Sequence, residues 1–367
     1  MFDVLEATGN AQSVHAEGRR ARAHIEAARK QVATLAGCAA SDIIFTSAGS
    51  EANALALRGA VQGAAEAGER ITRLVVSAIE HDSVLANAAL CAATNAGLRV
   101  IECPVSGQGV VNLIELRRIL REGKGRALVS VMAANNETGV VQPVGDVVGE
   151  AKAAGALVHS DAVQAAGKLP FSFAKLGLDY ATLSAHKIGG PQGVGALIAR
   201  NGAPLARQIA GGGQERGHRA GTENVAAITG FGAAAEAALH DLDHIGDVES
   251  LRKDGERILK AVCPEAMVFG EATSRLANTI CVAAPGMSAE TLVIALDLDG
   301  FAVSAGAACS SGKVRQSHVL AAMGVEPSLA QNAIRVSFSS ATTREDLSAF
   351  AKAWARVLKR AQPRAAA

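Results

Sequence analysis

Hydrophobic and polar positions along the chain alternate between two periodicities. From Ala16 to Leu35, AEGRRARAHIEAARKQVATL is rich in strong helix formers, and Ile25, Ala28, Val32 and Leu35 recur at helical spacing with charge on the other face. A helix is predicted there. DIIFTSAGS then reads as a short strand entering a small-residue loop, followed by the helical EANALALRGAVQGAAEAG. Beyond it, apolar runs of strand length (RLVVSAIEH, LRVIECPV, RALVSVMAANN, ALVHSDAV, LDYATLSAHK and GVGALIAR) are interleaved with the helical SVLANAALCAATNAG, LIELRRILREG and VGDVVGEAKAAG. Strands spaced by helices of this length predict right-handed βαβ units in a mostly parallel α/β sheet, reaching to about residue 235.

GGGQERGHRAGTEN, from Gly211 to Asn224, is too polar and glycine-rich for a sheet core and reads as an exposed functional loop. An alanine-rich helix from about Asn224 to His240 leads out of the large domain. After it, strands near LANTICVAA and AIRVSFS and helices at AETLVIALDLDG and REDLSAFAKAWARVLKR predict a smaller α+β domain over 236–367. The tail PRAAA is expected to fray.

Composition narrows the function. The chain has 367 residues, 49% of them hydrophobic, enough for a large core. Lys+Arg number 36 against 35 Asp+Glu, so the basic excess of a nucleic-acid binder is missing and a small ligand is expected. MFDVLEATGN has neither a basic n-region nor an apolar h-region, and no segment is long and apolar enough to span a bilayer, so no membrane association and a cytoplasmic location are expected. The six cysteines lie far apart, the closest being Cys91 and Cys103, which suggests reduced thiols with neither a metal site nor a disulfide framework.

In open α/β sheets ligands bind outside the carboxyl ends of the strands. Five successive predicted strands carry polar residues there: Ser47, Gly49 and Ser50; Glu80 and His81; Asn135, Asn136 and Glu137; Asp161 and Gln164; Ser184, His186 and Lys187. SAGSEA before a helix suits either a phosphate or an ordinary serine cap, and it lacks the Gly-Lys-Ser/Thr ending of a nucleotide loop. Asp161 follows an apolar run, so it is either a surface carboxylate or a partly buried one that needs a cation such as a protonated pyridine nitrogen. Lys187 is either a solvated charge or an amine able to form an imine with an aldehyde. A phosphate site, an acid and an amine together are what pyridoxal 5'-phosphate (PLP) requires.

SAHKIGGPQGVGAL, NNETGVVQPV, HSDAVQAAGKLP, EHDSVL, GGGQERGHRAGTENV and SAGAACSSG, in register over nearly the whole chain, resemble the cysteine desulfurases of the class V aminotransferase group, in the NifS/IscS-like branch. The resemblance implies a fold-type I PLP-dependent transferase that converts L-cysteine to L-alanine. It implies that Lys187 holds PLP and moves protons at the substrate Cα, and that Asp161 pairs with the pyridine nitrogen. Gln164 and Asn136 would bond the ring's phenolic oxygen, His81 would stack on the ring and aid acid/base steps, and Gly49, Ser50, Ser184 and His186 would hold the phosphate. Thr222 would reach the phosphate of a neighbouring subunit, implying a homodimer.

Cys309, in SAGAACSSGK, lies among residues too small to bury a thiol, whereas Cys38, Cys91, Cys103, Cys263 and Cys281 read as small hydrophobes. By resemblance Cys309 attacks the sulfur of cofactor-bound cysteine and keeps it as a persulfide for a sulfur-acceptor or scaffold protein in iron–sulfur or thiolation pathways; no metal site is expected, and whether Cys309 also ligates a cluster transiently during delivery is left open by the sequence. Arg335, in NAIRVSFS, is either a surface ion pair or, by resemblance, a bidentate fork for the substrate carboxylate. The chain starts almost at the family's GN-x-SVH stretch, here GNAQSVH, so a shortened N-terminus is expected. Two other readings therefore stand beside the desulfurase: another PLP lyase or aminotransferase, which has no need of Cys309, and a weakened homologue acting as a binding partner.

Overall fold

The structure, a computed structural model, describes residues 1–6, 9–305 and 316–361. It divides into two units, one of Met1–Cys103, Val111–Ala133 and Gln142–Leu242, the other of Pro104–Val110, Ala134–Val141 and Asp243–Ala367. A single boundary at residue 235 does not describe this division, because two short segments from within the α/β region belong to the second unit.

The first unit is built on a seven-stranded sheet. Its strands are β1 (Ile43–Thr46), β2 (Ile71–Ser77), β3 (Arg99–Cys103), β4 (Arg126–Ser130), β5 (Leu157–Asp161), β6 (Tyr180–Ser184) and β7 (Gly195–Ala199), in the order β1-β7-β6-β5-β4-β2-β3. From β6 to β3 every pairing is parallel. The predicted βαβ pattern therefore holds, with β7 as the exception. It turns back after β6 and runs antiparallel to both its neighbours, as a short connection without a crossover helix requires. Every position of β5 and β6 is buried, which marks strands covered on both faces. One side is filled from the helix Gly49–Glu66, whose Leu55, Leu57 and Val61 pack with Leu74, Leu128, Leu157 and Leu197.

The helix predicted over 16–35 spans Ala16–Ala36 and ends at Gly37, whose φ of 61° gives the left-handed cap that favours glycine. The alanine-rich helix spans Val225–Asp241.

The second unit has an antiparallel sheet of β8 (Met267–Val268), β9 (Thr279–Ala283), β10 (Ser304–Ala305) and β11 (Ala333–Ser337), ordered β10-β11-β9-β8. The helices Ile245–Val262, Ala289–Leu298 and Arg344–Ala361 supply Leu251, Leu292, Phe350 and Trp354 to a core closed by Ile280 and Ile334.

Candidate active site

Strands β5 and β6 are adjacent and parallel, and they end at Asp161 and Ser184. Asp161 is 6% exposed. Its carboxylate accepts from Asn53 Nδ2 at 2.8 Å and from the Val163 N–H at 3.0 Å, both neutral donors. Burial pushes its pKa up from the ordinary carboxylate value, against these two bonds and the nearby charges of His81 and Lys187. A carboxylate in that setting is stabilised by a cation brought to it, and a protonated pyridine nitrogen is one. The surface alternative for Asp161 is thereby removed.

A single 3₁₀ turn, Ala185–Ile188, follows β6 and carries His186 and Lys187. Lys187 is half-buried, and its ammonium lies close enough to disfavour a second positive charge on His186. The His186 ring meets Ser184 Oγ at 2.9 Å, and desolvation, Lys187 and Lys168 lower its pKa.

The SAGSEA loop is not a serine-capped helix start. The helix Gly49–Glu66 begins after Ala48, with no side-chain cap, and the Ser47 N–H and hydroxyl both go to the Glu51 carboxylate. The first-turn N–H groups thus have no side-chain cap, the arrangement that receives an anion. The approach is tight at Gly49 and leaves room only for glycine at Gly195. A Cβ on Gly49 would stand 3.1 Å from Val163 Cγ2 and 3.4 Å from Ser184 Cβ, and one on Gly195 would stand 2.6 Å from the Ala48 carbonyl carbon. The helix start is therefore pressed against the end of β6, beside the Ser184 hydroxyl.

Other expected residues fall as follows. His81 is exposed and caps the helix Asp82–Thr94, its Nδ1 accepting from the Ser83 N–H. Gln164 is half-buried and its carbonyl oxygen accepts from Lys168 Nζ at 2.7 Å. Thr222 is exposed and lines a cavity of about 190 Å³ with Ser47, Gly193, Arg219 and Asn224. Asn136 and Arg335 belong to the second unit, where Arg335 donates to the Asn136 carbonyl at 2.7 Å and to Ser304 Oγ at 3.2 Å. Its Nε is buried without a hydrogen-bond partner among the described residues. Cys309 lies outside the described residues. Desolvation pushes the thiols of Cys38 and Cys103 up to about 12 and that of Cys91 up to about 11, and it raises Cys263 and Cys281 as well. None of these five is activated.

Most of the 211–224 segment is exposed or half-buried, but Glu215 and Ala220 are buried. Glu215 and Arg216 adopt φ of 46° and 57°, a left-handed turn unusual for such side chains. Buried Glu215 accepts from Arg29 NH1 and NH2 at 2.7 and 2.9 Å and from the Phe45 N–H at 2.9 Å. Arg29 NH1 also donates to the Ile43 carbonyl, and its guanidinium lies 4.7 Å from the Phe45 ring centre. This pair fastens the segment to β1.

Sequence reasoning passed over Asn53, Ser83, Arg29 and Glu215. For Asn53 a signal existed: it is the one polar residue among Ala52, Leu55, Ala56 and Leu57 on the buried side of its helix.

The aminotransferase class-V family model matches residues 4–350. The chain belongs to this family. It is 45% identical to a cysteine desulfurase of Cereibacter sphaeroides over 94% of this chain and 87% of that one. It is 38% identical to the cysteine desulfurase IscS of Dictyoglomus turgidum over 94% and 86%. Among solved structures it resembles a NifS-like protein from Rickettsia africae, with a TM-score of 0.88 and 34% identity over 98% of this chain and 94% of the other. The fold is that of the fold-type I PLP-dependent enzymes, and PLP is the cofactor of the family. The residues present fit it: an uncapped helix start against a serine for the phosphate, a buried acid with only neutral donors for the ring nitrogen, and a lysine one turn past the neighbouring strand. Among the described residues no helix is long and apolar enough to cross a membrane, and no His/Cys/Asp/Glu group is arranged to hold a metal.

Proposed function

We propose that this protein is a PLP-dependent cysteine desulfurase, converting L-cysteine to L-alanine and passing the sulfur to Cys309 as a persulfide. The observation that carries it is Asp161 at the end of β5 and Lys187 in the turn just past β6, with the uncapped start of the helix Gly49–Glu66 against the end of β6, in a chain whose relatives are cysteine desulfurases. Bound PLP supplies an electron sink at the substrate Cα. Asp161 keeps the positive charge on the cofactor's ring nitrogen. Lys187 is the covalent anchor and carries the proton at Cα. Gly49, Ser50, Ser184 and His186 hold the phosphate, Gln164 and Asn136 the ring oxygen, and His81 stacks on the ring and shuttles a proton. Arg335, whose Nε has no hydrogen-bond partner among the described residues, offers its fork to the substrate carboxylate. Cys309 would attack the substrate sulfur as thiolate, the new S–S bond forming as the substrate Cβ–S bond breaks, with the electron pair of that bond left on the carbon fragment that takes up a proton to become alanine. Thr222 serves the phosphate of a second copy in a homodimer, and a sulfur-acceptor protein of cluster assembly or thiolation, in the cytoplasm, relieves Cys309 of its persulfide.

Purified protein is incubated with PLP and L-cysteine, with alanine, sulfide and protein-bound persulfide followed together. Alanine and sulfane sulfur should form in equal amounts. Cys309→Ser should keep the cofactor's visible absorbance and lose the persulfide, and Lys187→Ala should lose covalent retention of the cofactor. Pyruvate or transamination products in place of alanine and sulfide would overturn the assignment.

A further inference from the structure

Four polar side chains of the first unit form a continuous line. Asn53, 1% exposed, places Nδ2 2.8 Å from Asp161 Oδ2 and 2.9 Å from Ser83 Oγ. Ser83 Oγ lies 2.8 Å from His81 Nδ1, and the Ser83 N–H points to the same nitrogen at 3.1 Å. Elementary chemistry sets the direction of each hydrogen. An ionised carboxylate only accepts, so the Asn53 group facing Asp161 is its NH₂, and that NH₂ has a second hydrogen for Ser83 Oγ. The Ser83 N–H already donates to His81 Nδ1, so that nitrogen carries no hydrogen and the Ser83 hydroxyl donates to it as well. Nδ1 then accepts from both the hydroxyl and the backbone, so the neutral ring carries its proton on Nε2. The orientation of Asn53 has a visible cost: its Oδ1 is buried without a hydrogen-bond partner among the described residues.

We propose that Asn53 and Ser83 are positioning residues that hold His81 as its Nε2–H tautomer in a fixed orientation, in line with the Asp161 carboxylate. The proposal rests on the assignment of Asp161 and His81 as neighbours of the cofactor ring, but its geometry belongs to the protein alone. A donor N–H at Nε2, pinned from the other side of the ring, gives the stacked imidazole one defined proton to present. Without the side-chain line, the Nδ1 acceptor role rests on the Ser83 N–H alone, and the other tautomer gains in population.

The test uses the full chain without cofactor, labelled with ¹⁵N-histidine, at mildly alkaline pH, with His81 assigned by comparison with His81→Gln. Long-range ¹H–¹⁵N spectra should show Nδ1 as pyridine-like and Nε2 as pyrrole-like. In Asn53→Ala the Ser83 hydroxyl is released to accept instead, and the Nδ1–H form should rise by roughly fivefold, the weight of one neutral hydrogen bond. Ser83→Ala should shift the ratio the same way, while Ser83→Thr, which keeps the hydroxyl, should retain the parent pattern. A pyrrole-like Nδ1 in the parent protein, or tautomer ratios unchanged in both folded alanine variants, overturns the proposal. If Asn53→Ala does not fold, the contrast between Ser83→Ala and Ser83→Thr decides. Because no cofactor is present, these spectra can refute the positioning role while the desulfurase assay succeeds, and the reverse.

Discussion

Removing Arg29 should detach the 211–224 segment and unfold the first unit early. In Arg29→Met the Glu215 carboxylate keeps the Phe45 N–H but loses both guanidinium bonds, at a side chain only 3% exposed. Orphaning one member of a buried pair costs about 3–5 kcal/mol. For a unit of this size about 2–4 °C of melting temperature goes with each kcal/mol, so the midpoint should fall by roughly 6–20 °C. The chain offers a convenient assay, because its one tyrosine, Tyr180, lies in the first unit and its one tryptophan, Trp354, in the second. Both are fully buried, so tyrosine emission follows the melting of one unit and tryptophan emission that of the other. The double variant Arg29→Met/Glu215→Gln keeps an acceptor for the Phe45 N–H and removes the orphaned charge. It should regain at least half of the loss. A tyrosine-reported drop below about 2 °C in the single variant, under 1 kcal/mol by the same conversion, would refute the assigned role of the pair. So would a double variant no more stable than the single one.

Three further outcomes are expected. His159 lies buried in β5 between Ser130 Oγ and Thr182 Oγ1, and burial depresses its pKa from 6.5 to about 3. Its contribution is therefore present above pH 6.5 and lost as pH falls toward 3, so the tyrosine-reported stability should decline at up to about 1.4 kcal/mol per pH unit, a slope that His159→Asn should flatten. Gly49→Val should weaken cofactor binding by at least about tenfold in a spectrophotometric titration, because its side chain fills the space at Val163 and Ser184 where the phosphate is to sit; unchanged affinity would move the anion elsewhere. Arg335→Lys keeps the charge but not the fork. It should raise KM for cysteine by roughly 10–100-fold with a smaller effect on kcat, and a parent-like KM would release Arg335 from carboxylate binding.

Much of the fold could be read in the sequence because a parallel sheet writes itself as apolar runs between amphipathic helices, and β2 to β6 follow that pattern. The reversal of β7 could not be seen, since an antiparallel and a parallel strand buried on both faces carry the same composition. Nor could the membership of Pro104–Val110 and Ala134–Val141 in the second unit, because neither segment breaks the local periodicity. At the site, Asp161, Ser184 and Lys187 stood out as polar groups terminating apolar runs. SAGSEA misled in one respect: serines offered themselves as caps, but the backbone starts the helix from Ala48. Asn53 and Glu215 were hidden for a different reason. Their partners lie 108 and 186 residues away in the chain, and no local pattern records a hydrogen bond over that span.

The place of β1 in the sheet sets a timetable for biosynthesis. Its ladder partner is β7 alone, with Ile43 opposite Ile198. At 5–20 residues per second a ribosome needs roughly 7 to 30 seconds to make the intervening stretch. Throughout that interval the nascent β1 has both edges unpaired and an apolar sequence, Ile-Ile-Phe-Thr, that suits another chain's strand equally well. The edge of the sheet that leads into the helix Gly49–Glu66 is thus closed only after β7 has been synthesised, and it is where a chaperone has the longest opportunity to act.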